Sequence, residues 1–507
     1  MWRRTILLTF AALWIATAYW QTNKPLPAGA DVDSPWYPVA PPDLAFIADI
    51  TSADAYGRPI VSQAIFDEVL RVVRSARKFV VLDFFLFSAQ PSADGPNAAP
   101  RQISGELRDA LIQLRRTQPE LHVLFITDPI SEMYGSAPSR DLLLLRAAGV
   151  DVAVTNLDRL RDSNFIYSSL WRLGIRWWSG TGRRSPQPEE GEPAGWLPNP
   201  LDESDLPITF GAWARLLNFK ANHRDVVLAD DGSGGLVAIV GSADPHDGSS
   251  AHSNAALKVA GPAMLPLLQS ELAIARFSGW QGSLTAALAD PNFAAGRAAL
   301  PAAQVAGASS RAKVLTEGSI RAALLERLNA CMRGDNIDIA MLHIADRGII
   351  EALLAASRRG VTVRLILDPN KDAFGHAKAG IPNQPAASEL VAASDGAIHV
   401  RWYRTHGEQF HTKLVMIYGP DHLWLLLGSA NLTRRNLLDY NLEADVAVDV
   451  DRGSQLALQT LGYFETLWSN RASLGIEYTA DFGYYADPSQ LHYWLYRVLE
   501  GTGLATF

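Results

Sequence analysis

The sequence is poor in cysteine, in runs of like charge and in long apolar segments, and each scarcity excludes a class of protein. A single cysteine, Cys331, cannot form a disulfide within the chain. A formal net charge of −8 without any long basic run argues against a protein whose main role is to follow nucleic-acid phosphates, although it leaves room for a local basic cleft. With 48% hydrophobic and 19% charged residues over 507, the composition is that of a folded globular protein, and the length favours two or more domains.

The one apolar run of note lies at the N-terminus, in residues 1–20. Two arginines precede an apolar stretch from Ile6 to Ala18, which ends in an Ala-x-Ala pattern typical of an export signal. Trp2 and Trp20 would also suit the two interfaces of a membrane anchor, although the run is shorter than the roughly 20 residues of a usual spanning helix. Both interpretations predict an exported protein, either anchored on the periplasmic side of a membrane or secreted; a buried helix of a cytosolic protein is the third alternative.

The same succession of elements occurs twice along the chain. Each half has a buried strand, an amphipathic helix and a second buried strand, which in the first half cover 78–89, 107–116 and 122–129, and in the second half 336–345, 349–361 and 362–369. Strands that alternate with helices of this length predict an α/β fold with mixed sheets. We predict two duplicated domains, each a mixed β-sheet flanked by helices, over about 45–285 and 310–475, followed by a C-terminal extension over 476–507.

Polar residues repeat together with these elements. The stretch FKANHRDVVLADDGSGGLVAIVGSAD in the first half matches QFHTKLVMIYGPDHLWLLLGSAN in the second. A Gly-Ser corner begins 18 residues after His223 and 17 after His411, while Asn254 and Glu443 follow their histidines by 31 and 32 residues. Two unrelated segments would rarely agree at each of these offsets, so the chain is predicted to contain an internal duplication.

One spacing differs between the halves and indicates an insertion. His223 follows Asp128 by 95 residues, whereas His411 follows Asp368 by 43, so the first half carries about 52 additional residues, at about 160–215. This insert holds five of the 14 tryptophans, at 171, 177, 178, 196 and 213. Tryptophans mixed with arginines suit a lipid headgroup boundary. The alternative is a small satellite core that covers a cleft.

The residues of the second motif are suited to phosphoryl chemistry without a metal or cofactor. On a strand His411 and Lys413 leave the same face, and Glu443 on a neighbouring strand could accept the N–H of that imidazole. If the halves face each other, one histidine attacks phosphorus to form a phosphohistidine, while the other protonates the leaving oxygen and later activates water. The residues predicted to hold the phosphate are Lys413, Ser429, Asn431 and Ser242.

Over roughly residues 45–470 the chain resembles the phospholipase D superfamily, whose signature is His-x-Lys-x4-Asp followed by a Gly-Ser-x-Asn corner, present twice. In the second half His411, Lys413 and the corner match, and Glu443 takes the place of the acid that orients the histidine. Tyr418 stands where the family has aspartate. The resemblance implies two duplicated domains around a single pseudo-twofold cleft and a phosphodiesterase activity that uses the paired histidines.

The first motif departs further from the family pattern. His223 and Asp230 match it, but Asp225 occupies the lysine position, Asp244 replaces the corner asparagine, and Asn254 stands where an orienting carboxylate is usual. Asp225 should face the cleft, where a carboxylate repels a phosphate, and burial beside Asp244 should push its protonation to higher pH.

Three functions remain open from the sequence. The first is an exported phosphodiesterase or transphosphatidylase of the phospholipase D type that acts on phospholipids at a membrane surface. The second is a catalytically impaired module that binds lipid or a partner, and the third is an exported nuclease. The acidic balance and the tryptophan-rich insert favour lipid over nucleic acid.

Overall fold

The computed structural model describes residues 2–54, 56–89, 101–136, 139–178, 195–199, 207–218, 220–233, 235–288, 309–373, 376–471, 476–505 and 507. The strands are β1 (Tyr37–Pro38), β2 (Leu44–Ala48), β3 (Ile50–Ala53), β4 (Pro59–Ser62), β5 (Phe79–Phe84), β6 (His122–Thr127), β7 (Asp151–Val154), β8 (Val226–Asp230), β9 (Leu236–Gly241), β10 (Ala255–Ala260), β11 (Ser310–Thr316), β12 (Asn336–Met341), β13 (Thr362–Leu367), β14 (Asp372–Ala373), β15 (His376–Ala377), β16 (Ile398–Tyr403), β17 (Lys413–Tyr418), β18 (His422–Gly428), β19 (Ala444–Asp451) and β20 (Thr479–Asp481).

Helices flank these strands. They are α1 (Trp2–Asn23), α2 (Ile65–Ser75), α3 (Ile103–Thr117), α4 (Arg140–Ala147), α5 (Phe165–Leu170), α6 (Arg176–Trp178), α7 (Phe210–Leu216), α8 (Leu265–Phe277), α9 (Thr285–Leu288), α10 (Gly318–Ala330), α11 (Arg347–Arg358), α12 (Asn383–Ala393), α13 (Arg434–Leu437), α14 (Gln455–Ser469) and α15 (Gln490–Thr502). A π-helical segment, Trp171–Ile175, joins α5 to α6.

The two large sheets repeat one topology, which confirms the predicted duplication. The first has the strand order β2-β10-β9-β8-β5-β6-β7, and the central seven strands of the second follow the order β11-β19-β18-β17-β12-β13-β16. In both sheets the last three strands are parallel to one another and the remaining pairs are antiparallel. The fold is therefore an α/β structure with two mixed sheets flanked by helices.

The two sheets share one apolar core, to which α8 and α14 also contribute, and they carry α2 to α4 and α10 to α12 on their outer faces. Leu257 of β10 and Leu425 of β18 belong to this shared cluster, so the sheets pack face to face. Separate clusters lie outside, between the first sheet and α2 to α4 and between the second sheet and α10 to α12. Central strands such as β5 are therefore buried on both faces, which explains their unbroken apolar sequence.

Both termini contribute to the second sheet, which the repeat pattern did not predict. The short strand β1 pairs with β11 at one edge, and β20, from the expected C-terminal extension, pairs with β16 at the other. Helix α1 packs beside α5. Within the described ranges, no helix combines the length and apolarity that crossing a membrane requires.

The described parts of the insert are helical segments and an isolated antiparallel bridge between Leu197 and Ile208, and its tryptophans divide between core and surface. Trp171 is buried, whereas Trp177 and Trp196 are about three-quarters exposed, at 76% and 77%. The remainder of the predicted insert, at 179–194 and 200–206, lies outside the described residues.

Candidate active site

Each motif histidine lies just before a strand, in a segment that pairs with the opposite half of the chain. The backbone N–H of His223 donates to the carbonyl of Leu442 at 2.9 Å, and that of His411 donates to the carbonyl of Ser253 at 2.8 Å. The two pairings are equivalent parallel bridges. The histidine segments therefore lie at one interface between the halves, around a single pseudo-twofold cleft.

The residue that orients each histidine comes from the other half. Nδ1 of His223 lies 3.1 Å from Oε2 of Glu443. Nδ1 of His411 lies 3.1 Å from Oδ1 of Asn254 and 2.6 Å from the carbonyl oxygen of Ser242. The prediction that Glu443 orients His411 is wrong, because the bridge between Asn222 and Leu442 brings Glu443 to the first-half histidine instead.

The corner serines hold these orienting residues. Ser429 Oγ donates to Glu443 at 2.6 Å, and Ser242 Oγ donates to Asn254 at 3.0 Å. A serine hydroxyl carries one hydrogen, which both serines use here, so neither hydroxyl is available to donate to a phosphate. The predicted phosphate-binding role of Ser429 and Ser242 is therefore replaced by a positioning role.

Further hydrogen bonds satisfy the carboxylate of Glu443. Asn436 and Asn441 both donate from Nδ2 to Oε1, the latter at 3.3 Å. Glu443 is fully buried, and buried charges persist where several donors reach them. The network gives His223 a carboxylate partner, whereas the oxygens that hold His411 are those of a backbone carbonyl and an amide.

Lys413 occupies the centre of the cleft. Its Nζ lies 3.2 Å from each ring nitrogen of His411 and donates to that residue's carbonyl at 3.0 Å. Burial lowers the pKa of Lys413 to about 8, a fall that is limited by the carboxyl groups of Asp225, Glu443 and Asp244. The lysine therefore remains largely charged at neutral pH.

The two altered residues of the first motif form a carboxyl pair beside Lys413. Asp225 and Asp244 are buried beside each other, and within the described residues neither carboxyl oxygen of Asp225 accepts a hydrogen bond. Two buried neighbouring carboxyl groups do not ionise together readily, so the pair favours the protonated form of Asp225. Burial and then Asp244 raise the pKa of Asp225 well above its usual range, while the ammonium of Lys413 opposes the rise. The predicted direction of this pKa shift is thus what the geometry produces.

Two further features complete the cleft. Asn431 is buried, and within the described part of the chain its Oδ1 accepts no hydrogen bond, while Nδ2 is the atom of this amide that can donate to a phosphate. Burial, followed by Lys413 and two other histidines, His252 and His223, lowers the pKa of His411 well below its ordinary value. His411 is therefore a neutral imidazole whose Nδ1 is held by the opposite half.

Asp230 and Tyr418, which occupy the aspartate position of the motif, lie away from the cleft. Asp230 is the last residue of β8 and Tyr418 the last of β17, and each of these strands begins close to a motif histidine. A strand rises about 3.3 Å per residue, so both side chains lie a strand's length away from the histidines. Asp230 accepts backbone N–H groups of Lys78 and Phe79 and so fixes the start of β5. The hydroxyl of Tyr418 donates to Asp338 at 2.9 Å. Both residues are structural.

Sequence reasoning missed a matched pair of positioning carboxylates. Asp128 accepts the backbone N–H of Asn222 at 2.7 Å, and Asp368 accepts that of Phe410 at 2.7 Å. Each therefore fixes the residue immediately before a motif histidine. Burial raises the pKa of both to about 7. The sequence does contain a signal for these two aspartates, because an Asp-Pro step follows the second parallel strand in both halves.

No group of three or more potential metal ligands occurs among the residues that the structure describes.

Comparison with known proteins agrees with this geometry. Residues 324–468 match the family model described as "Cardiolipin synthase, PLD-like domain". No curated protein sequence matches the chain. The crystal structure of phosphatidylserine synthase from Haemophilus influenzae Rd KW20 is similar in fold, with a TM-score of 0.54 and 11% identity over 97% of this chain and 98% of that one.

Two other solved structures are similar only at a coarser level. Polyphosphate kinase from Porphyromonas gingivalis aligns with a TM-score of 0.43 and 12% identity, over 91% of this chain and 56% of that one. Nuc, a phospholipase D family member from Salmonella typhimurium, aligns with a TM-score of 0.26 and 22% identity, over 34% of this chain and 97% of that one. Residues 324–468 therefore match a PLD-like domain, and the chain as a whole shares the fold of that phosphatidylserine synthase, with duplicated sheets and one His-centred motif from each half at a single cleft.

Proposed function

We propose that the protein is a phospholipid-modifying enzyme of the phospholipase D type, which works by hydrolysis or headgroup transfer through a phosphohistidine. The observation that carries the proposal is the reciprocal orientation of the two histidines, His223 by Glu443 and His411 by Asn254. Lys413 contacts His411 and lies within electrostatic range of Glu443. A phosphodiester bound at Lys413 would therefore have both a nucleophile and a proton donor beside it.

His411 is the better nucleophile of the two. Its lowered pKa keeps the ring neutral, and Nδ1 is engaged with Ser242 and Asn254, so Nε2 carries the lone pair. In the free protein Nζ of Lys413 lies against Nε2 of His411. When substrate binds, the lysine would donate its N–H to a phosphate oxygen instead, which leaves Nε2 free to attack. His411 Nε2 then attacks phosphorus, and the bond from phosphorus to the leaving alcohol oxygen breaks.

His223 is the better acid and base. An imidazolium formed there has the buried carboxylate of Glu443 as its partner, whereas one at His411 would face Lys413. His223 gives its proton to the leaving oxygen and later takes one from water or an acceptor alcohol. That oxygen attacks phosphorus, the bond to His411 breaks, and both histidines return to their starting states.

Lys413 and Asn431 are the groups proposed to hold the phosphate. Lys413 supplies a positive charge in a buried site, and the Asn431 amide is available there. Both act where water is largely excluded, which strengthens their interaction with charge that develops on the phosphoryl oxygens. The chemistry requires no metal or cofactor.

An exposed apolar face supports a lipid substrate. Helices α1 and α5 pack side by side, and Gly503, at the end of α15, lies against Ser163, just before α5. All three helices expose large apolar side chains, among them Leu7, Phe10, Leu13, Ile166, Leu170, Trp494 and Val498. A patch of this kind marks an interaction surface, and its tryptophans and neighbouring arginines suit a membrane boundary. Export to the periplasmic side of a membrane, or secretion, remains part of the proposal.

The proposal is tested on mixed phospholipid vesicles, with release or exchange of the headgroup as the readout. We expect the wild type to be active and Lys413→Ala to lose activity by several hundredfold or more. Lys258→Ala is the matched control, because Lys258 forms an ion pair with Glu68 outside the cleft. An active Lys413→Ala protein would contradict the site assignment, and cleavage of single-stranded DNA but not lipid would favour the nuclease alternative.

The altered first motif favours one other function, a lipid-binding module without catalysis. The carboxyl pair of Asp225 and Asp244 stands where the family has groups that attract phosphate. Vesicle binding without headgroup release at any pH would support this alternative over the enzyme.

A further inference from the structure

A second polar cavity lies beside the described part of the insert, away from the histidines. It has a volume of about 120 Å³ and is lined by Tyr134, Trp171, Arg215, Asn218 and Lys220, among others. We refer to it as the insert cavity. A water in the liquid occupies about 30 Å³, so the space suits a small polar group and is too small for an acyl chain.

The insert cavity has an excess of positive charge. Five mutually interacting cations surround two carboxylates, Asp158 and Asp162; the cations are Lys24, Arg172, Arg176, Arg215 and Lys220. Burial and then the repulsion of Lys220 and Arg172 lower the pKa of Lys24 to about 7. Burial is also the main cause of the lowered pKa of Arg215. Cations gathered in this way are costly unless an anion joins them.

Polar atoms that line the insert cavity are left without partners. Lys220 and Arg172 bind Asp162, but within the described ranges no group accepts from Nε of Arg215. In the same ranges Nε1 of Trp171, on a side chain only 1% exposed, also has no hydrogen-bond partner. Buried polar groups in native proteins nearly always have a partner, so these two donors at one cavity point to an acceptor as ligand. Oδ1 of Asn218 also lacks a partner, but as an acceptor it would not bind an anion.

The backbone beside the insert cavity is strained in a way that fits a binding site. Met133, Tyr134 and Gly135 have φ values of 42°, 53° and 86°, and two of the three are not glycine. Each non-glycine residue in this left-handed region costs of order 1 kcal/mol or more, and such strain persists where surrounding structure enforces it, often at ligand sites. Here it sets the ring of Tyr134 against the cavity.

We propose that the insert cavity binds an oxyanion, a phosphate or carboxylate group, through Arg215 with support from Trp171 and Tyr134. The guanidinium of Arg215 offers paired N–H donors, the geometry that oxyanions prefer, and the indole N–H and the phenol hydroxyl are additional donors. The oxyanion comes either from an anionic phospholipid headgroup or from free phosphate.

A short path of contacts connects this site to the active site. Pro129, in the cavity wall, follows Asp128, which holds the backbone N–H of Asn222 next to His223. Thr155 in the same wall accepts a hydrogen bond from the side chain of Asn222. A bound anion would therefore lie behind the segment that carries the first histidine. Binding itself depends on none of the proposed catalysis.

The experiment measures thermal unfolding of the full chain with and without inorganic phosphate. Lys413→Met serves as the background, because it removes the cation of the active site. We expect phosphate to raise the Tm of this protein by about 2–3 °C at a hundredfold excess over Kd. Adding Arg215→Gln should abolish that rise and should also raise the Tm in phosphate-free buffer, because a half-buried cation that is repelled by Arg176 and Arg172 is removed.

Arg146→Gln is the matched control, since Arg146 forms an ion pair with Glu132 and does not line the cavity. It should leave the phosphate effect unchanged. An equal rise in Tm with and without Arg215 would overturn the proposal, as would no rise in the Lys413→Met background. If Arg215→Gln raises KM for vesicles of an anionic phospholipid but not for vesicles of phosphatidylcholine, the bound oxyanion is that of the lipid headgroup. If only added inorganic phosphate changes the rate, the bound oxyanion is free phosphate.

Discussion

Asp225→Asn is the substitution that most sharply separates a functional first motif from a decayed one. In the wild type Asp225 interacts electrostatically with both Asp244 and Lys413. The pair therefore competes with the substrate phosphate for the lysine. Replacing Asp225 by asparagine keeps the shape and removes the charge, so a phosphodiester should bind more tightly.

The size of the effect follows from Coulomb's law. Two charges about 5 Å apart at an effective dielectric constant of about 20 interact by roughly 3 kcal/mol. About half of this is lost, because the raised pKa of Asp225 leaves its carboxyl only partly charged and because Lys413 also loses a stabilising partner. The net gain of about 1.4 kcal/mol corresponds to a roughly tenfold fall in KM.

The effect must depend on pH. The pKa of Asp225 is raised, so its proton is retained in acid and lost as pH rises, and phosphate repulsion grows with that loss. The wild-type KM should therefore increase with pH while that of Asp225→Asn changes much less. Above about pH 8 both proteins should weaken, since Lys413 loses its proton there.

The assay is a pH series of kcat and KM on mixed phospholipid vesicles. Asp449→Asn is the control, because Asp449 pairs with Arg311 at the other end of the second sheet. This variant also removes one negative charge, but not from the cleft. Equal pH dependence in wild type and Asp225→Asn would refute the competition between Asp225 and phosphate. A tenfold rise in KM for Asp225→Asn would refute it as well, because the carboxyl group would then assist binding.

Three further results are expected. Glu443→Gln should lower kcat by about 10- to 100-fold with little change in KM, because His223 loses the partner of its charged form; an unchanged kcat would refute the role of Glu443. Tyr418→Phe should cost about 1 kcal/mol of stability and leave kcat intact, since its hydroxyl loses the hydrogen bond it donates to Asp338 and the long one it accepts from Arg364; a large loss of kcat would place Tyr418 at the site. The pKa of Asp368 is raised to about 7, so the contribution of its protonated form to stability is complete below about pH 4 and is lost as pH rises through 7. In urea unfolding, Asp368→Asn should therefore lose less stability than the wild type between these pH values. An identical pH profile of the unfolding free energy in both proteins would contradict this role of Asp368.

Much of the fold could be predicted because the apolar pattern is local. The helix predicted at 107–116 lies within α3, and the strand at 362–369 corresponds to β13. Offsets between the motif residues gave the duplication, since each half repeats the same seven-strand order. Strands β1 and β20 were not predicted, because they are short, lie at sheet edges and pair with strands far away in sequence.

The site was predicted in its residues but not in its pairings. His223, His411 and Lys413 meet at one cleft, as the spacing suggested. Which half orients which histidine depends on the bridge between Asn222 and Leu442, and a contact between residues 220 positions apart leaves no periodic signal. The same limit applies to Ser429, whose hydroxyl is directed to Glu443 by tertiary packing and not by its place in the corner motif.

The measurement that tests the central claim most directly is the mapping of a phosphorylated histidine. The substrate is a radiolabelled phosphodiester with an activated leaving group, which departs without an acid. His223→Ala should then accumulate the label, because it can form the intermediate and lacks the base that activates water. His411→Ala should accumulate none.

Peptide mapping of the labelled protein should assign the phosphate to His411. Label on His223 in the His411→Ala protein would reverse the two roles. No label in the wild type, His223→Ala or His411→Ala under conditions of measured turnover would contradict the phosphohistidine account altogether.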